Sequence, residues 1–271
     1  MNEMQSKLLD MMKWFHDFCN KENLRYYAVG GTALGAVRHN GFIPWDDDID
    51  VGMPRPDYEK MIDIFKSRSI DGHYIFEAPL DKKDYVYPFC KLYDTDTTLI
   101  ENVRVKAKRG IYIDIFPLDG IGNTLDESQK NYKRIDFMVN ILNTKICALR
   151  KGRSLFKNFS IILGRLIPEC IFGKKYLIQK INEKGKQRPY ADNEYVVNLF
   201  GAWKSREICK RSWFGTPFLG KFEDMQIYIP QDCENYLTAL YGDFMKLPPV
   251  EKRVSHHDFI ECDLEKSYLD D

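Results

Sequence analysis

Apolar side chains recur along this chain at three- and four-residue spacing in some stretches and at alternate positions in others, and the two periods predict its elements. Met4, Leu8, Met12, Phe15 and Cys19 fall on one face of a helix over residues 3–20. "RYYAV" (25–29) is a short strand that stops at Gly30 and Gly31, after which Thr32 is placed to cap a helix over 33–39. Asn-Gly and Pro make "NGFIPW" (40–45) a loop. A strand over "DDIDVGM" (47–53) follows, and Pro54 and Pro56 open a helix through "YEKMIDIFKS". Further strands are predicted at 73–78, 87–94 and 97–101, and the strongest, "GIYIDIFPLDG" (110–120), is bounded by glycines. From about 124 to 186 the period turns helical, and the last third mixes short strands with helices before a charged tail. No repeat or low-complexity linker intervenes. The change of character near 120 therefore divides the chain into 1–120 and 121–271 without an obvious hinge.

With 271 residues, 44% of them hydrophobic, the chain can bury a sizeable core as one large domain or two small ones. Forty basic residues balance forty acidic ones, which gives no global reason to expect a nucleic-acid partner. Seven scattered cysteines, odd in number and without a CxxC pair, read as free thiols in a reducing compartment. The N-terminal residues show no basic n-region followed by an apolar run. Nor does any stretch reach the about 18 uninterrupted apolar residues of a membrane span. A soluble, cytoplasmic protein is the expectation.

Charge patterning changes the picture at one place. Asp46, Asp47, Asp48 and Asp50 cluster within twenty residues of the Gly30-Gly31 turn. In a strand, Asp46, Asp48 and Asp50 would share a face, while Ile49 and Val51 point into the core. Carboxylates at that spacing repel unless a cation lies between them, and oxygen ligands of this kind suit Mg²⁺ or Mn²⁺. A glycine turn opening a helix offers backbone N–H groups to a phosphate. An isolated Asp-x-Asp is ordinarily a solvated loop; alternation with apolar residues beside a glycine turn argues against that here. Asp114 is a lone carboxylate among Ile111, Ile113, Ile115 and Phe116, a costly placement unless something binds it. Backbone or arginine partners could hold it. Alternatively it joins Asp48 and Asp50 as a third metal ligand, as the base for an incoming hydroxyl, or as both.

The three pieces "VGGT", "DIDV" and "IDI" resemble the nucleotidyltransferase superfamily, with its polymerase-β-like fold. The gap from Gly31 to Asp48 holds sixteen residues, longer than that superfamily usually shows, and points to one branch. "GGTALGAVRHNGFIPWDDDIDVGM" resembles the hallmark of the LicD family, named for bacterial phosphocholine transferases and related to the fukutin group. "YPFCKLYDTDTTLIE", "GIYIDIFPLDG" and "YGDFMKLPPVEKRVSHH" (241–257) agree with it, in the expected order. The resemblance spans about 20–257 and is faintest over 121–190.

It implies an α+β protein: a nucleotidyltransferase-like core with a mixed sheet in 1–120, and a helical and C-terminal portion in 121–271 that completes the cleft and acceptor site. It also implies metal-dependent transfer of phosphocholine from CDP-choline to a hydroxyl of a cell-surface glycan precursor such as teichoic acid, with release of CMP. CDP-ribitol or CDP-glycerol as donor, NTP-dependent nucleotidyl transfer to a small molecule, and a non-catalytic binder are the alternatives. On this reading Asp48 and Asp50 hold Mg²⁺ or Mn²⁺ on the donor pyrophosphate. Asp114 completes the metal set and takes the acceptor's proton. Gly30, Gly31 and Thr32 form the phosphate turn. Arg38, Lys91, Lys252, Arg253, His256 and His257 become candidates for contact with phosphate or cytidine. His256 and His257 are weaker as metal ligands, because adjacent residues rarely point at one ion. A choline ammonium needs aromatic faces or a carboxylate, and Trp45, beside the aspartates, is the first candidate.

One segment stands outside this scheme. Leu155, Phe156, Phe159, Ile162, Leu163, Leu166 and Ile167 form a helical apolar stripe flanked by "ALRKGR" and "KK". Packing on the transferase core or a dimer contact would use it. So would peripheral membrane contact through 154–172, which suits the lipid-linked acceptors expected of this family.

Overall fold

The N-terminal periodicity is realised as α1 (Glu3–Lys21), in a computed structural model that describes residues 1–68, 72–149, 154–255 and 258–270. Asn2 and Gln5 cap the helix reciprocally, and Leu8, Met12, Phe15 and Cys19 are buried as their spacing requires. After β1 (Tyr27–Ala28), α2 (Gly30–His39) starts three residues earlier than the sequence suggests. Gly30 has φ 54°, a left-handed value that glycine adopts without strain, so the turn is made within the helix's first residue. Thr32 is not a cap; its hydroxyl accepts from the backbone N–H of Asp50 at 2.8 Å. The next strand, β2 (Asp50–Pro54), starts later than expected, because residues 47–49 lie outside the ladder. Pro54 then stands at the N-cap position of α3 (Arg55–Ser67), with Pro56 in its first turn.

Strands β3 (Tyr74–Glu77), β4 (Cys90–Asp94) and β5 (Thr98–Glu101) lie within the predicted runs, followed by short β6 (Lys108–Arg109) and long β7 (Tyr112–Gly122). Helices α4 (Leu125–Ile146), α5 (Leu155–Leu166), α6 (Glu169–Phe172) and α7 (Lys174–Lys186) occupy the helical stretch. The remainder holds β8 (Tyr195–Asn198), β9 (Ile208–Lys210), α8 (Arg211–Phe214), β10 (Phe218–Phe222), β11 (Met225–Ile229), α9 (Cys233–Tyr241) and β12 (Phe259–Asp263).

Among the described residues, the main sheet runs β1-β2-β7-β4-β3, with β8 and β9 continuing from β7. The β2–β7 pairing is parallel and the others antiparallel, so the sheet is mixed and the protein is α+β. The first half of β7 lies between β2 and β4; from Leu118 onward it pairs with β8, and so carries the sheet past residue 120. A second sheet, β12-β5-β6, returns the late strand β12 to residues 98–101, and β10–β11 form a hairpin.

Two apolar clusters form the interior. The larger holds Phe15, Tyr27, Ile49, Val51, Leu92, Ile113 and Ile115 between α1 and the sheet. The second packs Ile121, Ile135, Leu142, Leu177, Ile181 and Val197 among α4, α7 and β8. Each such side chain stabilises by about 1.5–3 kcal/mol when fully buried. A buried ion pair ties these regions together: Arg55 Nε and Nη2 donate to the two carboxylate oxygens of Asp119, each at 2.6 Å, and Nη1 reaches Glu59 and Asn182. All seven cysteines are free thiols. Among the described residues, no helix is long and apolar enough to cross a membrane.

Candidate active site

In the parallel ladder Asp50 stands opposite Asp114, and in the antiparallel one Lys91 stands opposite Asp114. Residues directly opposite share a face, so Asp50, Asp114 and Lys91 form a row across three strands. The backbone of this row is fixed. Asp114 N donates to Ile49 O (3.0 Å), Asp50 N to Thr32 Oγ1 (2.8 Å) and Val29 N to Asp50 O (3.1 Å).

The start of α2 lies directly against the carboxylates. A Cβ on Gly31 would stand 2.6 Å from Asp46 Oδ2, and one on Gly30 would stand 3.3 Å from Asp50 Oδ2. Any side chain at residue 31 would therefore displace Asp46. The N–H of Gly30 donates to the hydroxyl of buried Tyr236 at 3.0 Å. Asp46, Asp47 and Asp48 approach on a loop, not on the strand that alternation suggested. That loop is tethered from two sides. Gln5 Nε2 donates to Asp46 O (2.8 Å) and Ile43 O (3.3 Å), and Ser255 Oγ donates to Asp47 Oδ2 (2.7 Å).

Burial pushes the Asp50 carboxyl well above the usual carboxylate range, and the nearby charges of Asp48, Asp114 and Asp46 push it further, with Lys91 opposing them. A cluster of hard oxygen donors around one carboxyl is the donor chemistry that a divalent cation takes.

Lys91 stands beside Asp114 in the row and is 1% exposed. Its ammonium is 3.0 Å from Asp114 Oδ1 and 3.4 Å from Glu101 Oε1, over the rings of Tyr112 (3.2 Å) and Tyr87 (4.2 Å). The hydroxyls of Tyr87 and Tyr112 donate to Glu101 at 2.6 and 2.8 Å. Three of the other motif residues, Trp45, Arg253 and Arg38, lie near one another. The Trp45 ring faces the Arg253 guanidinium at 5.5 Å and lies edge-on to His39, while Arg253 Nε donates to Pro248 O. Arg38 Nη1 donates to Phe244 O at 2.8 Å; burial and the neighbouring Arg253 both lower its pKa. Lys252 is exposed, and His256 and His257 lie outside the described residues.

The row of Asp50 and Asp114 and the glycine turn were legible in the sequence. Gln5, Glu101, Tyr112, Tyr236 and Ser255 were not singled out, and Tyr87 stood only among the aromatic residues that could face a choline ammonium. The sequence signal for Glu101 was its position at the end of "YPFCKLYDTDTTLIE", which also contains Lys91. A separate trio, His73, Asp94 and Asp96, brings ligand atoms within 4.8 Å of one another. Asp94 is three positions along β4 from Lys91 and so lies on the opposite face of the sheet, and His73 and Asp96 are exposed.

A mixed sheet presenting carboxylates from adjacent parallel strands beside a Gly-Gly helix start is the setting for comparison with known proteins. The family profile described as "LicD/FKTN/FKRP, nucleotidyltransferase domain" matches residues 23–144. The chain belongs to the LicD family and is a phosphotransferase. Its relatives include the lipopolysaccharide cholinephosphotransferase LicD of Haemophilus influenzae, 30% identical over 264 residues that cover 95% of this chain and 96% of that protein. The human ribitol 5-phosphate transferase FKRP is 53% identical over 30 residues, 11% of this chain and 6% of its own. An uncharacterised Rickettsia prowazekii protein, RP689, is 33% identical over 106 residues, 32% of this chain and 39% of its own.

Proposed function

We propose that this enzyme transfers phosphocholine from CDP-choline to a hydroxyl of a cell-surface glycan precursor, releasing CMP. The observation that carries the reading is the juxtaposition of Asp50 and Asp114 across β2 and β7, against the Gly30-Gly31 start of α2. Full-length similarity to a cholinephosphotransferase supports choline as the transferred alcohol. Ribitol is the second donor to test, because of the short but dense FKRP match.

Asp48, Asp50 and Asp114 are the residues that would hold Mg²⁺ or Mn²⁺. When bound, that cation neutralises charge on the donor's pyrophosphate. The acceptor oxygen attacks the phosphorus that bears choline, the bond from that phosphorus to the bridging oxygen breaks, and CMP leaves with the bridging oxygen. Asp114 takes the acceptor's proton, and Lys91 holds that carboxylate in place through its 3.0 Å contact. Backbone N–H groups at the start of α2 orient phosphate. Arg38, Trp45, Lys252 and Arg253 serve the nucleotide side of the cleft, with His256 and His257 in the same motif. Little covalent chemistry is asked of the protein; positioning and charge neutralisation carry the rate.

In this scheme residues 1–120 form a nucleotidyltransferase-like catalytic core in the cytoplasm, and 121–271 complete the cleft and the acceptor site. The parallel β2–β7 pair supports the core, whose sheet extends past residue 120 through β8 and β9, and the Ser255–Asp47 contact supports the second assignment. The test is CMP release from CDP-choline, CDP-ribitol and CDP-glycerol, with Mg²⁺ or Mn²⁺ and with EDTA. EDTA-sensitive CMP from CDP-choline alone is expected. Pyrophosphate from an NTP, with no CMP from any CDP-alcohol, would overturn the reading.

A further inference from the structure

Helix α5 faces the wrong way for a packed amphipathic helix. Phe156, Phe159, Ile162, Leu163 and Leu166 fall within one third of its circumference, and all five are exposed, Phe156 at 77% and Leu166 at 72%. Its inward face is small and polar. A Cβ on Gly164 would stand 2.2 Å from Thr144 Oγ1, so α5 lies tight on α4 there. Arg165 Nη2 donates to Cys147 O (2.7 Å), and Lys145 Nζ of α4 donates to Ile167 O just past the helix end. Ile161 is the buried apolar anchor on this side. A surface helix normally turns its apolar stripe to the core. Here the stripe is outside, and Ile171 (57% exposed) and Tyr176 (46% exposed) extend the apolar surface beyond it.

We infer that this face is a docking surface for an anionic lipid bilayer. The charge around it selects that occupant. From Ser154 to Lys175 the sequence carries four basic side chains and one acidic, in a chain otherwise balanced at forty of each. Lys157 and Lys175 are exposed at the two ends of the segment. A second copy of the chain is the rival occupant. Like charges would repel wherever the basic segment of one copy met that of the other. An anionic headgroup layer would pair with Lys175, next to exposed Tyr176, while the phenylalanines and leucines enter the acyl boundary; Lys157, about 160° from the stripe's centre on the helical wheel, adds longer-range attraction. The inference goes beyond the transfer reaction and stands without it, though it would bring the enzyme to a lipid-linked acceptor.

The experiment is flotation of the full chain on phosphatidylcholine vesicles, with and without about one-third phosphatidylglycerol. The chain should float with the anionic vesicles and much less with the neutral ones, and salt should weaken the association. The triple variant Phe156→Ser/Phe159→Ser/Leu166→Ser should lose at least ~10-fold in partitioning. Lys157→Glu/Lys175→Glu should lose anionic selectivity. CMP release from soluble donor should be unchanged in both. Hydrogen exchange on the unmodified chain gives an independent reading, with amides of 155–166 protected only in the presence of anionic vesicles. A chain that stays with the dense fraction sinks the inference. So does a triple variant that floats as well as the parent, or a dimer that the triple substitution abolishes.

Discussion

At Asp50 the proposed chemistry and local electrostatics pull in opposite directions. Burial and three neighbouring carboxylates raise its pKa, so its charged form is held against a local electrostatic cost. Asp50→Asn should lower CMP release by at least ~100-fold while raising the melting temperature in EDTA; calorimetry beside the rate assay checks both signs. A second buried carboxyl, Glu207, lies outside this cluster. Burial lifts its pKa from 4.5 to about 7, against the opposing hydrogen bond from Trp203 N. Because the folded value is raised, its contribution to stability is fully present below about 4.5 and lost as pH climbs through about 7. Roughly 3 kcal/mol of pH-dependent stability should be involved, and Glu207→Gln should flatten urea-midpoint profiles between those pH values. The aspartates were legible because a carboxylate in an apolar run is costly unless bound. Lys91's partners were not, because Glu101 reaches it from β5 and sequence spacing does not reveal which strands adjoin.

At the scale of elements, the site is a property of strand pairing. Lys91 on β4 and Asp114 on β7 meet because Lys91 and Asp114 are cross-strand partners, and a one-residue slip would send one side chain to the other face. Lys91→Met should leave Asp114 and Glu101 without their shared ammonium and destabilise the fold by roughly 3–5 kcal/mol, read from urea denaturation. Retention of full stability would show that the ammonium does not support these strands. The strands of the first half were readable from apolar alternation. Two boundaries were not: β2 starts at Asp50 because the preceding aspartates do not pair, and α2 starts at Gly30 because glycine accepts the left-handed turn. The β10–β11 hairpin turns through Glu223 at φ 53° and Asp224, without the Asn-Gly or Asp-Gly that would have announced it.

For the whole molecule, Arg55 and Asp119 are the seam. The pair links α3 to the central strand, and Asn182 and Lys186 extend the network to α7 through Arg55 and Glu59. Arg55→Met should strand the buried Asp119 carboxylate and lower stability by roughly 3–5 kcal/mol. In hydrogen exchange, α7 should lose protection before β2 does. The change to helical period near residue 120 does not divide the two apolar clusters, because the larger takes in Phe214, Ile227 and Leu237 from the last third of the chain and the smaller takes in Val86. The strand that crosses between them was not legible either, because nothing in the period of β7 marks where one neighbour gives way to another. The return of β12 to β5 has a consequence for biosynthesis. Ser255 holds Asp47 across 208 residues of chain. At about 5–20 residues per second, a ribosome would add those residues over roughly 10–40 s. Throughout that interval the acidic loop has left the peptidyl-transferase centre while its clasp does not yet exist. A nascent chain can thus build most of its sheet before the acidic loop gains its C-terminal tether, so this part of the proposed site is completed only late in synthesis.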